Sequence, residues 1–336
     1  MVKTLMDVVE DASSRVKLND DDMVIDIGSN DGTLLTFYQN KITKVGFEPS
    51  NLVKYTPEMQ NSIIINDFFN YETFILKIGN KKAKIITSIA MFYDLDDPNK
   101  FVEDIRACLS EDGLWIIQMN YLGLMIKNQT FDNISHEHLE YYSLLSLDYL
   151  LSKHRLRIDD VELNDVNGGS FKIYVRHASS SENPNRSSLE MLKNKEKKER
   201  LDKKETYVEF AKKIKLLKSD TLRFLHNVTK EGKKVMIFGA STRGLVMLQY
   251  MGIDKATIRY ATDKNKDKFN RYIADTGIKI LPYGSYRAEA PDYLLVLPYQ
   301  FIREFVNQES DFLAGGGKLI TLVPKLKVYG DLNDVK

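Results

Sequence analysis

The first 120 positions carry short apolar, largely β-branched runs at Met23–Ile27, Lys44–Phe47, Ser62–Ile65, Lys84–Ile89 and Leu114–Met119, separated by amphipathic stretches. Strands buried on both faces are apolar at nearly every position, so this alternation predicts a parallel sheet covered by helices. The texture then changes. Arg155–Leu163 and Ser170–Arg176 are two β-rich runs around the turn Asn164-Asp165-Val166-Asn167-Gly168-Gly169, which predicts an antiparallel hairpin.

Residues 179–188 are rich in Ser, Asn and Pro and poor in apolar side chains, the composition of a linker. Beyond them, Lys193–Lys218 is crowded with Lys, Arg and Glu, while Tyr207, Ala211, Ile214, Leu217, Thr221 and Leu225 recur at helical spacing. That pattern predicts one long helix with a buried face and a charged solvated face. Alternation resumes at Lys234–Phe238, followed by the turn Gly239-Ala240-Ser241-Thr242-Arg243-Gly244 and an apolar helix through Tyr250. Further strands are predicted at Thr257–Thr262, Tyr293–Leu297 and Lys318–Val323. The expected organisation is therefore an α/β domain over 1–178, a linker and long charged helix over 179–230, and a second Rossmann-like α/β domain over 231–336. Five parallel strands closed by an antiparallel hairpin match the order of the class I methyltransferase fold and differ from the six parallel strands of a dehydrogenase.

Composition narrows the partners. With 43% apolar residues and a net charge of +1 over 336 residues, the chain can bury two cores and exerts no overall field on nucleic acid or anionic lipid. A single cysteine, Cys108, forms no internal disulfide and no cysteine-based zinc site, which fits a reducing cytoplasm. The first 25 residues are too rich in Asp and Lys for a signal peptide, and no apolar run reaches the ~20 residues of a membrane span. A cytoplasmic protein with a small-molecule substrate, and no nucleic-acid or membrane partner, is expected.

The loop Asp26-Ile27-Gly28-Ser29-Asn30-Asp31-Gly32 follows the first strand. Glycines there suit a sharp bend or a close approach to a ligand. A dinucleotide fingerprint needs glycine where this loop has Asn30, and acidic Asp31 is a poor neighbour for phosphate. Both are acceptable beside the sulfonium and ammonium of S-adenosylmethionine, whose amino group Asp26 can take up. Glu48, at the end of the next strand in Gly46-Phe47-Glu48-Pro49-Ser50, is placed to clamp ribose hydroxyls. Asn66-Asp67-Phe68-Phe69 offers a carboxylate for the adenine amino group and an aromatic ring to stack on it, either Phe68 or Phe69. Thr87-Ser88-Ile89-Ala90-Met91-Phe92-Tyr93 brings backbone and an aromatic near the methyl donor.

The densest chemistry lies in Phe131-Asp132-Asn133-Ile134-Ser135-His136-Glu137-His138-Leu139-Glu140-Tyr141-Tyr142. Two imidazoles are too few for a three-ligand zinc site, so no metal is expected. The cluster reads as structural or, preferably, as an acid/base set, since histidine titrates near neutrality and a neighbouring carboxylate strengthens it as a base. In the second domain the Gly239–Gly244 turn, with Asp263 one strand later, has the layout of a nucleotide site. Either Ser241, Thr242 and Arg243 meet a diphosphate there, or the turn is inherited architecture without a ligand; Tyr299 stands at a further strand end.

Taken together, Asp26–Gly32, Gly46–Ser50, His136-Glu137-His138, Gly168-Gly169-Ser170 and Gly239-Ala240-Ser241 resemble the deoxysugar C-methyltransferases, over nearly the whole chain. The resemblance implies methyl transfer to a carbon α to the ketone of a nucleotide-linked 4-keto sugar, through an enolate. It implies that Glu137 and His138 lie in the sugar pocket with His138 as base, while Tyr141, Tyr142 or His136 stabilises the oxyanion. Tyr93, Gly169, Ser170, Ser241, Thr242, Arg243 and Tyr299 are then the candidate substrate contacts. Family members normally begin with a cysteine-ligated zinc module, and this sequence starts at what would be the helix after it; the module is expected to be supplied by another polypeptide, lost by truncation or replaced. Two competing expectations are an NAD-dependent oxidoreductase using the second glycine turn and a non-catalytic S-adenosylmethionine-binding module of a larger assembly.

Overall fold

The computed structural model describes residues 2–335 and divides the chain into two compact units. One is built from Met1–Gly123 and Leu139–Asp202, the other from Leu124–His138 and Lys203–Lys336.

The first unit holds a seven-stranded sheet in the order β3-β2-β1-β4-β5-β7-β6. Its strands are β1 (Met23–Ile27), β2 (Thr43–Phe47), β3 (Ser62–Ile65), β4 (Ala83–Ile89), β5 (Leu109–Asn120), β6 (Leu156–Asn164) and β7 (Ser170–His177). β1 to β5 pair in parallel, whereas β7 runs antiparallel to both β5 and β6. This is the class I methyltransferase order, with the return strand of the expected hairpin inserted against β5. Val24, Ile85, Leu114, Ile116 and Tyr174 pack on Val8, Val9 and Ala12 of the helix Val2–Arg15. Elsewhere in the unit an edge-to-face chain of rings runs from Phe47 through Phe69 and Phe101 to Phe92. Such a chain adds directional contacts to the area the rings bury. The strand order reverses between β1 and β4, and at such a point the loops leaving the carboxyl ends diverge and leave a crevice.

Three expectations are corrected by the structure. The polar stretch 179–188 is not where the units divide. Arg157 donates to the carbonyls of Ala178, Ser180 and Glu182, and Ser188 Oγ donates to Asp160 at 2.6 Å, which fastens the stretch to the β6 edge. The expected single long helix is two, Arg186–Lys198 and Lys204–Lys230. Arg200 between them adopts a left-handed backbone (φ 55°). The first of the pair is anchored by fully buried Glu196, which accepts from the Leu144 and Leu145 amides and the Tyr121 hydroxyl. Finally, the segment Leu124–His138, coded in the middle of the first unit, belongs to the second.

The second unit carries a six-stranded sheet in the order β10-β9-β8-β11-β12-β13, comprising β8 (Val235–Phe238), β9 (Tyr260–Asp263), β10 (Lys279–Pro282), β11 (Tyr293–Val296), β12 (Lys318–Thr321) and β13 (Lys327–Tyr329). All neighbours are parallel except β12 and β13. β10 and β13 are additions to the expected strands, and their four- and three-residue lengths leave little periodicity to read. The helix Thr242–Met251 starts with Ser241 capping the Gly244 amide at 3.1 Å and stops at Gly252 in the left-handed region (φ 73°), a conformation glycine adopts at no steric cost.

Candidate functional site

In the first unit the loops after β1, β2, β3 and β4 share one edge of the sheet. Registry places Asp26 beside Gly46 on one side and beside Thr87 on the other. The β1 loop turns through three left-handed residues, Gly28 (φ 75°), Asn30 (φ 51°) and Gly32 (φ 74°). Gly28 and Ser29 donate their amides to the Phe47 carbonyl at 2.8 and 3.0 Å, which closes the loop onto β2. Gly46 is required on β2 because a Cβ there would stand 2.8 Å from Ser29 Oγ and 2.9 Å from the Ile64 side chain.

Glu48 organises the crevice. It is buried, and its two carboxylate oxygens accept the Asn30 amide at 3.0 Å and the Ser50 amide at 2.8 Å. Asn66 reaches across from the end of β3 to the carbonyls of Glu48 and Ser50 at 2.8 and 3.0 Å, with Pro49 exposed between them. Asp26 is also buried, and accepts from Thr87 Oγ1 at 2.6 Å. Burial pushes its carboxyl up to about 7; the Thr87 bond pulls it down and the charge of Glu48 adds to the rise. Two buried hydroxyls of this unit, Ser29 Oγ and Tyr38 Oη, have no partner among the described residues. Two buried carboxylates with orphaned hydroxyls in the same unit are a set suited to a cationic, hydrogen-bonding ligand.

The structure separates the other expected donor contacts. Phe69 lies inside the ring chain, while Phe68 is 72% exposed with Asp67 beside it, so Phe68 is the aromatic left to face a ligand. Ser88 turns inward and accepts the Trp115 indole N–H at 3.1 Å, so its hydroxyl is engaged within the fold. Ala90 sits in the left-handed region at φ 54°, an arrangement that costs a non-glycine residue about 1–3 kcal/mol and that clusters at ligand sites. Met91 follows it and packs over Gly28. Asp31 is exposed and caps its own turn by accepting from the Thr33 amide and hydroxyl at 3.1 and 2.7 Å. Tyr93 is buried, and its carbonyl accepts the Leu139 and Glu140 amides. Tyr142 is buried against Phe92, and its hydroxyl has no partner among the described residues. Burial and nearby Glu140 hold that phenol well above its ordinary range, so it stays a donor. Tyr141 is partly exposed. Gly169 is left-handed at φ 130°, and Ser170 spends its hydroxyl on the Val166 carbonyl at 2.8 Å.

In the second unit, His136 and Glu137 are exposed and His138 is half-buried. His138 Nδ1 lies 2.7 Å from the Asn133 carbonyl. Only an Nδ1–H can bond a carbonyl, so Nε2 is the basic nitrogen. Burial lowers the imidazole pKa, helped by the charge of Arg243 and opposed by the Asn133 bond and Glu137, which keeps the ring neutral near pH 7.

The second glycine turn is occupied by its own side chains. Asp263 accepts the Ala240 amide at 2.9 Å, and Lys268 Nζ bonds the Ala240 carbonyl and Asp263. Ser241 caps the following helix, Thr242 is exposed, and Arg243 turns away to Asp132 and Tyr299. The adjoining cavity is about 230 Å³ and is walled mainly by Phe238, Tyr283, Pro298, Phe301 and Phe305. That volume is below the ~300 Å³ at which sites enclosing a cofactor begin. Asp132, the partner of Arg243, carries no sequence signal of its own.

Residues 2–160 match the family model described as a methyltransferase domain, and residues 165–324 match the C-methyltransferase C-terminal domain. The two matches, one after the other along the chain, support a C-methyltransferase. A similar protein, the C-methyltransferase NovU of Streptomyces niveus, is 28% identical over 330 residues, which span 98% of this chain and 78% of NovU. Among solved structures, an S-adenosylmethionine-dependent methyltransferase from Clostridium acetobutylicum is similar over 53% of this chain and 92% of its own (15% identity, TM-score 0.40). The complex of the Haloferax volcanii Trm112 methyltransferase activator with a methyltransferase contains a chain similar over 52% of this one and 93% of its own (15% identity, TM-score 0.42). With a methyltransferase domain followed by a C-methyltransferase C-terminal domain, the protein is an S-adenosylmethionine-dependent C-methyltransferase. No helix among its described residues is long and apolar enough to cross a membrane.

Proposed function

We propose that the acceptor is the carbon α to the ketone of a nucleotide-linked 4-keto deoxysugar, and that methylation proceeds through its enolate. Carbon becomes nucleophilic in water only when an acidic C–H is removed, so a C-methyltransferase needs a base and an activating carbonyl. The observation that carries the reading is His138, half-buried, lowered in pKa by that burial, and oriented by its Nδ1–H on the Asn133 carbonyl, which makes Nε2 its basic nitrogen. Nε2 takes the proton from carbon, and the enolate carbon forms a bond to the methyl group. S-adenosylmethionine supplies that electrophilic methyl, and S-adenosylhomocysteine leaves with the C–S electron pair. Tyr142, kept protonated by its burial, is suited to donate to the enolate oxygen, with Tyr141, His136 and Glu137 as further polar groups of the segment. Tyr93, Gly169 and Ser170 of the first unit and Thr242 of the second are proposed as sugar contacts, with backbone rather than hydroxyl contacts expected from Ser170. Asp26, the loop Gly28–Gly32, Glu48 to Pro49, Asn66 to Phe68 and the stretch Ser88 to Met91 are proposed to hold the donor, with Asp26 facing its amino group and Glu48 its ribose.

Incubation with S-adenosylmethionine and a panel of nucleotide-linked 4-keto sugars, read by mass spectrometry, should show a gain of one methylene on the sugar. Methylation of other carbon acids but none of these sugars would refute the substrate assignment. His138→Ala should lower turnover roughly 100-fold or more, the range expected for a general base, while S-adenosylhomocysteine affinity by calorimetry stays unchanged.

A further inference from the structure

The second glycine turn has an occupation that neither of its sequence readings anticipated. Arg243 sends Nε to Asp132 Oδ2 at 2.7 Å and Nη2 to the same oxygen at 2.6 Å, and Nη2 also donates to the Tyr299 hydroxyl at 2.6 Å. That hydroxyl lies 3.2 Å from both oxygens of Asp132. The Asp132 side chain is fully buried and that of Arg243 is 22% exposed. An ion pair with its carboxylate fully buried is held firmly, and breaking it leaves an uncompensated buried charge. Its geometry leads directly to the histidine. Asp132 sits in the single turn Phe131–Asn133, which is further held by the Phe131 ring against Tyr250 at 5.2 Å and by the Asn133 amide on the Thr130 carbonyl at 3.2 Å. The residue after Asp132 supplies the carbonyl that fixes His138 Nδ1.

We propose that Asp132, Arg243 and Tyr299 form a positioning triad, through which the glycine turn of the second unit sets the orientation and basicity of His138 rather than gripping a phosphate. Arg243 and Tyr299 are thereby reassigned from substrate contacts to positioning residues. The same turn that presents phosphate-binding amides in a dinucleotide site here presents a guanidinium to the segment carrying the base. The inference rests on the reading of His138 as the base, and its test separates the two.

In the full chain with isotope-labelled histidines, His138 can be assigned by the signal lost in His138→Gln and its imidazole titrated by NMR. Arg243→Met is expected to raise the His138 titration midpoint and weaken its Nδ1–H tautomer preference, with S-adenosylhomocysteine affinity unchanged. Tyr299→Phe, which removes one oxygen from an otherwise intact packing, should give a smaller change in the same direction and serves if Arg243→Met does not fold. On an accepted substrate, Arg243→Met should cost roughly tenfold or more in kcat, as removal of a group that orients a histidine does. Added to His138→Ala it should cost nothing further. A folded variant whose His138 titration and tautomer are unmoved overturns the proposal, as does a fully additive double mutant. Loss of affinity for a nucleoside diphosphate in Arg243→Met, with His138 unmoved, would restore Arg243 to phosphate binding. Full turnover by His138→Ala would instead remove the base assignment, while the NMR titration still reports whether the triad holds the ring.

Discussion

Each unit opens its sheet with the same device, and the two uses of it have opposite electrostatics. After β1, Gly28 donates to the Phe47 carbonyl at 2.8 Å and Asn30 to the carboxylate of Glu48; after β8, Gly239 donates to the Thr262 carbonyl at 2.8 Å and Ala240 to the carboxylate of Asp263. Strand, glycine turn and acidic strand end are thus superposable in plan. In the first unit the acid is accompanied by a second buried carboxylate, Asp26, which has a threonine hydroxyl for company. In the second, Asp263 is paired with Lys268. One turn carries a charge deficit that a cationic ligand relieves, and the other is neutralised by its own chain. A repeated architecture therefore does not imply a repeated site, and the side chains around the turn decide which is a site.

The contrast can be broken most directly at the acids. Glu48→Gln and Asp26→Asn should each weaken S-adenosylmethionine binding by roughly 10- to 100-fold, the range for hydrogen bonds to a charged group, whereas Asp263→Asn should leave it within about twofold. Calorimetric titration of the three variants measures this, and equal losses in all of them would abolish the distinction. The pH dependence is a subtler version. Because the Asp26 carboxyl lies near 7 and the ligand favours its ionised form, donor affinity should fall as pH drops below about 7, with up to one proton released per donor bound. The raised value also means that the folded protein holds this proton more tightly than the unfolded chain. Donor-free stability should therefore decline as pH rises from about 4 through 7, and Asp26→Asn should melt higher than the parent at pH 8. Titrations in buffers of different ionisation enthalpy, and melts across pH, check both; a pH-independent affinity would remove Asp26 from the donor's amino group. The smallest effect is expected from Gly46→Ala, which drives a methyl into Ser29 and Ile64 and should cost about 1–3 kcal/mol of stability by denaturant unfolding, with a secondary loss of donor affinity.

The first sheet was readable because each of its strands is a local apolar run, and the loops proposed to hold the donor lie at the ends of those runs. The positions of the strands, the Asp26–Gly32 loop and the place of Glu48 at a strand end all follow from patterns a few residues long. What escaped was set by contacts distant in sequence. Thr87 lies 61 positions from Asp26, and Arg243 lies 111 from Asp132 and 56 from Tyr299. Nothing in the spacing of a glycine turn says whether its arginine meets a ligand or a buried aspartate. Phe68 and Phe69 are likewise equivalent as letters, and only the rings of Phe47 and Phe101 decide which is core. The polar stretch before Asn185 has the composition of a free linker, and a single arginine, Arg157, makes it part of the β6 edge.

The segment Leu124–His138 is interleaved in the gene with the first unit but packs with the second. Recombination between relatives therefore faces a constraint that a map drawn at the polar stretch would miss. A chimera joined near residue 180 would inherit Asp132 and Phe131 from one parent and Arg243, Tyr250 and Tyr299 from the other. Exchanges that carry 124–138 together with 203–336 keep those partners matched, so over evolutionary time the histidine segment is expected to be inherited with the glycine turn rather than with the sequence that surrounds it.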